Sequence, residues 1–150
     1  MIPDSSLDAL CRLAQTSLGV PRNIRACGYP AIRDRVTPTD VTAHLERHPE
    51  YLRAWQNYSM DKRTSGGWYL EQRVESGHWL LTRGWSTRSP EFTWRVGSLT
   101  LPNPDQYFTS AASACGEFIL REVEFWYCLL TFRTPRWPAR DTPEREERSR

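Results

Sequence analysis

The stretch Trp55-Gln-Asn-Tyr58-Ser-Met-Asp61-Lys62-Arg63-Thr-Ser-Gly66-Gly67-Trp68-Tyr69-Leu70 is where a helical pattern gives way to a strand pattern. Before it, Val41, Leu45, Leu52 and Trp55 recur at the spacing of one helix face. After it, Trp68, Leu70 and Val74 alternate with Tyr69, Glu71 and Arg73, the period of a strand with one buried side. The paired glycines close the helical segment. How this junction is read decides whether the chain is all helix or a mixture, and the alternation beyond Gly67 points to a mixture.

Working backward, Thr37-Pro38-Thr39-Asp40 is a helix start. Thr37 serves as N-cap, Pro38 occupies the first helical position where its missing N–H costs nothing, and Asp40 complements the helix dipole. Pro49 lacks the N–H an inner turn needs, so the spacing predicts two helices, about 38–47 and 49–61, and not one bent rod. An earlier helix is expected from about Ser5 to Leu18, stopped by Gly19 and Pro21. Between Val20 and Val36 no period is evident, and a loop with at most one short strand is expected.

Working forward, Trp79, Leu81 and Trp85 form a second alternating run, and Phe92, Trp94 and Val96 a third. Turns at Glu75-Ser76-Gly77 and from Ser86 to Glu91 separate them. Leu101-Pro-Asn-Pro104 reads as a rigid connector. A long helix follows from about Ser110 to Leu130, with Ala111, Cys115, Phe118, Ile119, Trp126 and Leu130 on its apolar stripe and Glu117, Arg121 and Glu124 largely opposite. The expected fold class is therefore α+β: an antiparallel three- to four-stranded meander packed against helices. Residues 1–132 make one domain, and 133–150, with Pro135, Pro138 and Pro143 among charges, form a disordered tail.

Composition narrows the function classes. The net charge is +2, and the tail from Arg133 onward accounts for it with six Arg against four acids. The rest is balanced, so nothing demands a nucleic-acid partner, which needs a concentrated basic face. No apolar run is long enough to span a membrane. The N-terminus lacks the pattern of a secretory leader, so a cytoplasmic location is expected. The four cysteines, at 11, 27, 115 and 128, lack the local spacing of a metal or redox motif and are expected as buried thiols. His44 and His48 lie one helical turn apart, but Leu45 stands where a metalloprotease helix carries its glutamate, and Pro49 breaks the turn. No metal and no cofactor are expected. No nucleophile elbow or phosphate loop exists, so no catalytic residue is assigned.

Lys62 is the one lysine among twenty basic residues, which sets Asp61-Lys62-Arg63 apart from its surroundings. The triplet reads in two ways: as a solvated helix end whose cations complement the dipole, or as a recognition surface of Tyr58, Asp61, Lys62, Arg63 and Tyr69. Rigid aromatics beside a guanidinium are the composition of binding hot spots. Trp55 and Trp68 belong to the core on either reading.

The run from His48-Pro49-Glu50 through Trp55-Gln-Asn-Tyr58-Ser59-Met-Asp61-Lys62-Arg63 to Gly66-Gly67-Trp68-Tyr69, with Ala114-Cys115-Gly116-Glu117-Phe118-Ile119 and Glu122 later, is similar to small bacterial immunity proteins encoded beside polymorphic toxins. The similarity spans roughly residues 36–125. It implies a stoichiometric inhibitor that binds and occludes a cognate toxin protein, without catalytic residues of its own. Inhibitors of nucleases are often acidic, whereas this domain is neutral, which leaves other toxin activities open. Two other classes remain beside it: a small hydrolase or transferase using His78, His44 or Cys115, and a phage-associated or structural interaction module.

Overall fold

The computed structural model describes residues 1–15, 20–61, 68–74, 79–80, 92–98 and 106–133. Six α-helices occur among them: α1 (Asp4–Cys11), α2 (Val20–Asn23), α3 (Tyr29–Ile32), α4 (Pro38–Arg47), α5 (Pro49–Asp61) and α6 (Ala111–Thr131). A 3₁₀ turn, Arg12–Gln15, continues α1. Four extended segments are β1 (Trp68–Val74), β2 (Trp79–Leu80), β3 (Phe92–Ser98) and β4 (Gln106–Phe108).

The boundary between α4 and α5 follows from local chemistry. Thr37 accepts from the Asp40 N–H at 3.2 Å while the Asp40 carboxylate accepts from the Thr37 N–H at 2.9 Å, a complete capping box. Pro49 begins α5, and His48 between the helices leaves helical geometry at φ −132°, ψ 75°. At α6, Ser110 caps the Ser113 N–H at 3.3 Å. The region from Val20 to Val36 departs from expectation by forming two short helices. Pro21 and Pro30 sit in their first turns, where proline is tolerated, and Gly28 at φ 83° supplies the left-handed residue before α3.

The α+β meander is overturned. Of the residues described down to their side chains, 74% are helical, and the only run of extended residues among these is Trp68–Leu70. Backbone pairing joins the segments in the order β2-β1-β3-β4. A meander would place the middle segment, Trp79 onward, between its neighbours. Instead β1 is central, pairing with β3 along its whole length from Trp68 opposite Ser98 to Val74 opposite Phe92, and β2 is two residues at one edge. Alternation identifies extended backbone but carries no information on neighbour order, and among the residues described down to their side chains the helices far outweigh the extended segments. The expected middle strand beyond Leu80, both expected turns and the tail from 134 lie outside the described residues.

The core sits around α6, which packs on α2, α4, α5, β1, β3 and β4. Phe118, Ile119, Leu120 and Val123 are fully buried, as are Trp55 and, at 1% exposure, Trp68. Trp55 meets Phe118 edge to face at 6.0 Å and donates its indole N–H to the Cys11 carbonyl at 2.8 Å, tying α5 to the end of α1. The expected polar back of α6 does not exist: Glu117, Arg121 and Glu124 are buried, whereas Leu130 of the expected apolar stripe is 48% exposed. Arg121 bonds Glu117 at 2.8 Å and lies 4.7 Å over the Trp68 ring, so its charge is paired and stacked inside the fold.

At Gly116 the backbone of α6 lies close against α4. A Cβ there would collide with Thr42 Oγ1 and lie 3.0 Å from the Pro38 carbonyl oxygen. Gly116→Ala raises helix propensity by about 1 kcal/mol, yet overpacking of this kind costs about 1–3 kcal/mol. The variant is expected to unfold at lower denaturant concentration than wild type, and an unchanged or higher midpoint would contradict this packing.

Candidate functional site

The junction that opens the sequence reading is built from α5, β1 and α6 around one side chain, Glu122. Its carboxylate accepts from the Tyr58 hydroxyl at 2.6 Å and from the Trp68 backbone N–H at 3.1 Å. Two positions farther apart in chain order than in space, at the end of α5 and the start of β1, are thus held by one group on α6. Ser59 adds a second bridge, donating to the Leu70 carbonyl at 3.0 Å and accepting from the Leu70 N–H at 2.8 Å. Burial first, and then the charge of Glu122, push the Tyr58 hydroxyl well above its ordinary pKa, so it stays a proton donor.

Of the residues singled out for partner binding, Tyr58 is half-buried and committed to Glu122, with its ring against Trp55 and Phe118. Tyr69 is half-buried in β1 and Asp61 is exposed at the last position of α5. Lys62 and Arg63 lie outside the described residues. The structure therefore brings Tyr58 and Tyr69 to the same junction, with Asp61 at its outer end.

A second carboxylate on α6, Glu124, faces the other way, toward α3. It accepts from Tyr29 at 2.6 Å, from Arg33 through Nε at 2.8 Å and Nη2 at 2.6 Å, and from the Cys128 thiol at 3.2 Å. Burial alone would raise this carboxyl, but the donors from Arg33, Tyr29 and Cys128 outweigh it and hold it below its ordinary value. Burial, reinforced by Glu124, pushes the Cys128 thiol up to about 12. Both carboxylates fasten α6 to its neighbours.

The cysteines are free, with Cys11, Cys115 and Cys128 buried and Cys27 half-buried. Desolvation raises the Cys115 thiol well above its ordinary value, which removes it as a nucleophile. His78 lies outside the described residues. A cleft of about 500 Å³ opens between α4, α5 and the start of α6, with Glu46, Arg53, Gln56 and Ser110 among its walls. Gln56 is buried there, and its side-chain nitrogen has no hydrogen-bond partner among the described residues.

The sequence reading missed one constellation. Although His48 lies between helices and not inside one, its ring comes within 4.5 Å of the His44 ring, centroid to centroid. Asp8 of α1 joins them, its Oδ1 lying 3.2 Å from His44 Nε2 and accepting from the Tyr51 hydroxyl at 2.8 Å. The Tyr51 hydrogen bond first, then His44 and Arg12, hold the Asp8 carboxyl below its ordinary value against a smaller opposing effect of burial. No local spacing could have announced Asp8, which precedes His44 by 36 residues. No helix described here is long and apolar enough to cross a membrane. No protein-family model, curated protein or solved structure matches this chain.

Two substitutions separate these anchors. Glu122→Ala leaves the buried Trp68 N–H without its acceptor, and a loss of about 1–3 kcal/mol is expected in chemical denaturation; an unchanged midpoint would show that the clamp carries no stability. Glu124 contributes through its ionised form, because its folded pKa lies below the ordinary 4.5. That contribution is present in full above the ordinary value and disappears as pH falls through the lowered folded one. Glu124→Gln is expected to lower stability by ~3 kcal/mol at neutral pH, and the gap to wild type is expected to narrow in acid. A gap that stays constant down to acid pH would contradict the assignment.

Proposed function

We propose that this chain is an immunity-type inhibitor that binds a cognate bacterial toxin domain in the cytoplasm and blocks it by occlusion. The reading rests on the similarity carried by the Trp55–Tyr69 run, and one structural observation supports it above the alternatives. Glu122 grips Tyr58 and Trp68, the two flanks of the segment that carries Asp61, Lys62 and Arg63. Anchoring both flanks of a recognition segment lowers the ordering cost of binding. Charged side chains at such a surface set orientation and partner choice, and aromatic neighbours add contact area.

An exposed feature elsewhere also fits a protein-binding role. Leu129, Leu130 and Phe132 at the end of α6 are 55%, 48% and 97% exposed, while the other large apolar residues described, apart from Met1, are covered. Clustered apolar exposure of this kind is characteristic of interaction surfaces. The hydrolase or transferase alternative draws less support, since Cys115 is sealed in the core and His44 turns its Nε2 to Asp8. A phage-associated or structural module would use the same surface, so the identity of the partner separates it from an inhibitor.

The test is to look for a toxin domain encoded beside this gene and, with that domain, to measure growth rescue on co-expression and direct binding. Wild type is expected to rescue growth. Lys62→Glu and Arg63→Glu are each expected to weaken binding by about 30-fold, the scale of a hot-spot loss, with stability within about 0.5 kcal/mol of wild type. Normal binding by both variants would remove this surface from the interface, and no rescue by wild type would remove the inhibitor reading.

A further inference from the structure

Asp8, His44 and His48 meet where α1 crosses the corner between α4 and α5. One donor atom from each lies within 4.8 Å of the other two. Asp8 Oδ1 and His44 Nε2 are 3.2 Å apart. In a tetrahedral site with bonds of about 2.0–2.1 Å, neighbouring donors stand about 3.3 Å apart, so this pair already has the required span. His48 needs to close in by about 1.5 Å to complete that span. Its side chain is 36% exposed, on a residue between two helices, and has room to do so.

The hydrogen-bonding state of His44 adds an independent argument. The side chain is 1% exposed, and its Nδ1 has no hydrogen-bond partner among the described residues. Asp4 Oδ1 lies 3.7 Å from that nitrogen, outside hydrogen-bond range but facing it. A neutral imidazole that donates from Nε2 to Asp8 must direct the Nδ1 lone pair toward the Asp4 carboxylate, an unfavourable pairing. A cation between Asp8 and Nε2 reverses the tautomer: Nε2 offers its lone pair to the metal, and Nδ1–H points at Asp4. That is the carboxylate–histidine–metal arrangement that orients ligating imidazoles. His48 shows the same relation, with its Nδ1 3.5 Å from Glu50 Oε1. Tyr51 and Arg12 already brace Asp8, through the hydroxyl at 2.8 Å to Oδ1 and Nε at 3.0 Å to Oδ2.

We propose that Asp8, His44 and His48 form a binding site for a divalent transition ion of the zinc class, which clips α1 to the α4–α5 corner. Two imidazoles and one carboxylate select borderline ions such as Zn²⁺ and Co²⁺ over Mg²⁺ and Ca²⁺, which require oxygen ligands. Three protein ligands leave a fourth position for water. Of the neighbouring cations, Arg12 is 63% and Arg47 59% exposed, so water screens their repulsion, while Asp4, Asp8 and Glu50 supply negative charge.

Titration of the full, metal-stripped chain with ZnCl₂ tests this by calorimetry and by the thermal midpoint, with MgCl₂ as the control ion. One equivalent of Zn²⁺ is expected to bind and raise Tm, with no response to Mg²⁺. CoCl₂ is expected to give ligand-field absorption without thiolate charge-transfer bands. His48→Gln keeps the backbone bond from residue 48 to Leu45 and is expected to weaken Zn²⁺ binding by about 100-fold or more, beyond the range seen on losing an outer partner. Asp4→Asn, which removes the charge facing Nδ1 along with its exposed ion pair to Arg47, is expected to weaken it by about 10-fold. Absence of Zn²⁺ binding by wild type would reduce the three residues to a hydrogen-bonded helix junction. Equal binding by wild type and by a folded His48→Gln variant, or thiolate bands with Co²⁺, would place the ion elsewhere. Either outcome overturns the proposal.

Discussion

Glu122 sits fully buried on α6 and carries the contact between the helices before Asp61 and the extended backbone after Gly67. A carboxylate taken out of water is expensive unless its oxygens are met by donors. Here the donors are the hydroxyl of Tyr58 and the backbone N–H of Trp68, so the requirement to satisfy one charge fixes the relative position of α5 and β1. With β1 placed, its pairing to β3 follows, and Leu70 and Val96 stand opposite each other inside the core. The junction is thus organised by a polar constraint, with the hydrophobic contacts filling in around it.

The same logic extends along α6. An ordinary surface helix turns its charges to water, but this helix is surrounded, and each buried charge is matched by a partner from another place in the fold or along the helix itself. Glu117 pairs with Arg121, whose guanidinium also covers Trp68, and Glu124 collects Tyr29, Arg33 and Cys128. Such pairs are weak contributors to net stability but severe when broken, which makes them devices for specifying one arrangement. On α6 these groups hold its neighbours in place. What it leaves outside is apolar, at Leu129, Leu130 and Phe132.

Much of the helical framework was legible. Thr37, Pro38 and Asp40 marked a start, Pro49 a restart, and the resulting ranges of α4 and α5 are those observed. Trp55, Trp68 and Cys115 were correctly read as core. The order of the extended segments was not legible, because alternation repeats every two residues wherever a strand stands. The short helices α2 and α3 were missed since four residues cannot display a helical period. In the candidate site, Tyr58 and Asp61 were picked for composition, and only coordinates show that Tyr58 is an anchor facing inward while Asp61 is exposed. The His44–His48 pair was set aside because Leu45 stands where the motif needs glutamate and Pro49 breaks the turn.

By itself the sequence determined where α4 and α5 begin and end, because caps and prolines act over three or four residues and carry their effect wherever the segment lies. It also marked Asp61-Lys62-Arg63 as distinct from an otherwise arginine-only background. Tertiary structure alone decided which polar groups are buried and what they meet, since Asp8 and His44 are 36 residues apart, Tyr58 and Glu122 are 64, and Arg33 and Glu124 are 91. Contacts at such separation depend on how α6 is enclosed, and no local pattern encodes that. The Trp55–Leu70 stretch shows the division most plainly: its change of period is written in its own residues, and the clamp that holds it together comes from a helix far along the chain.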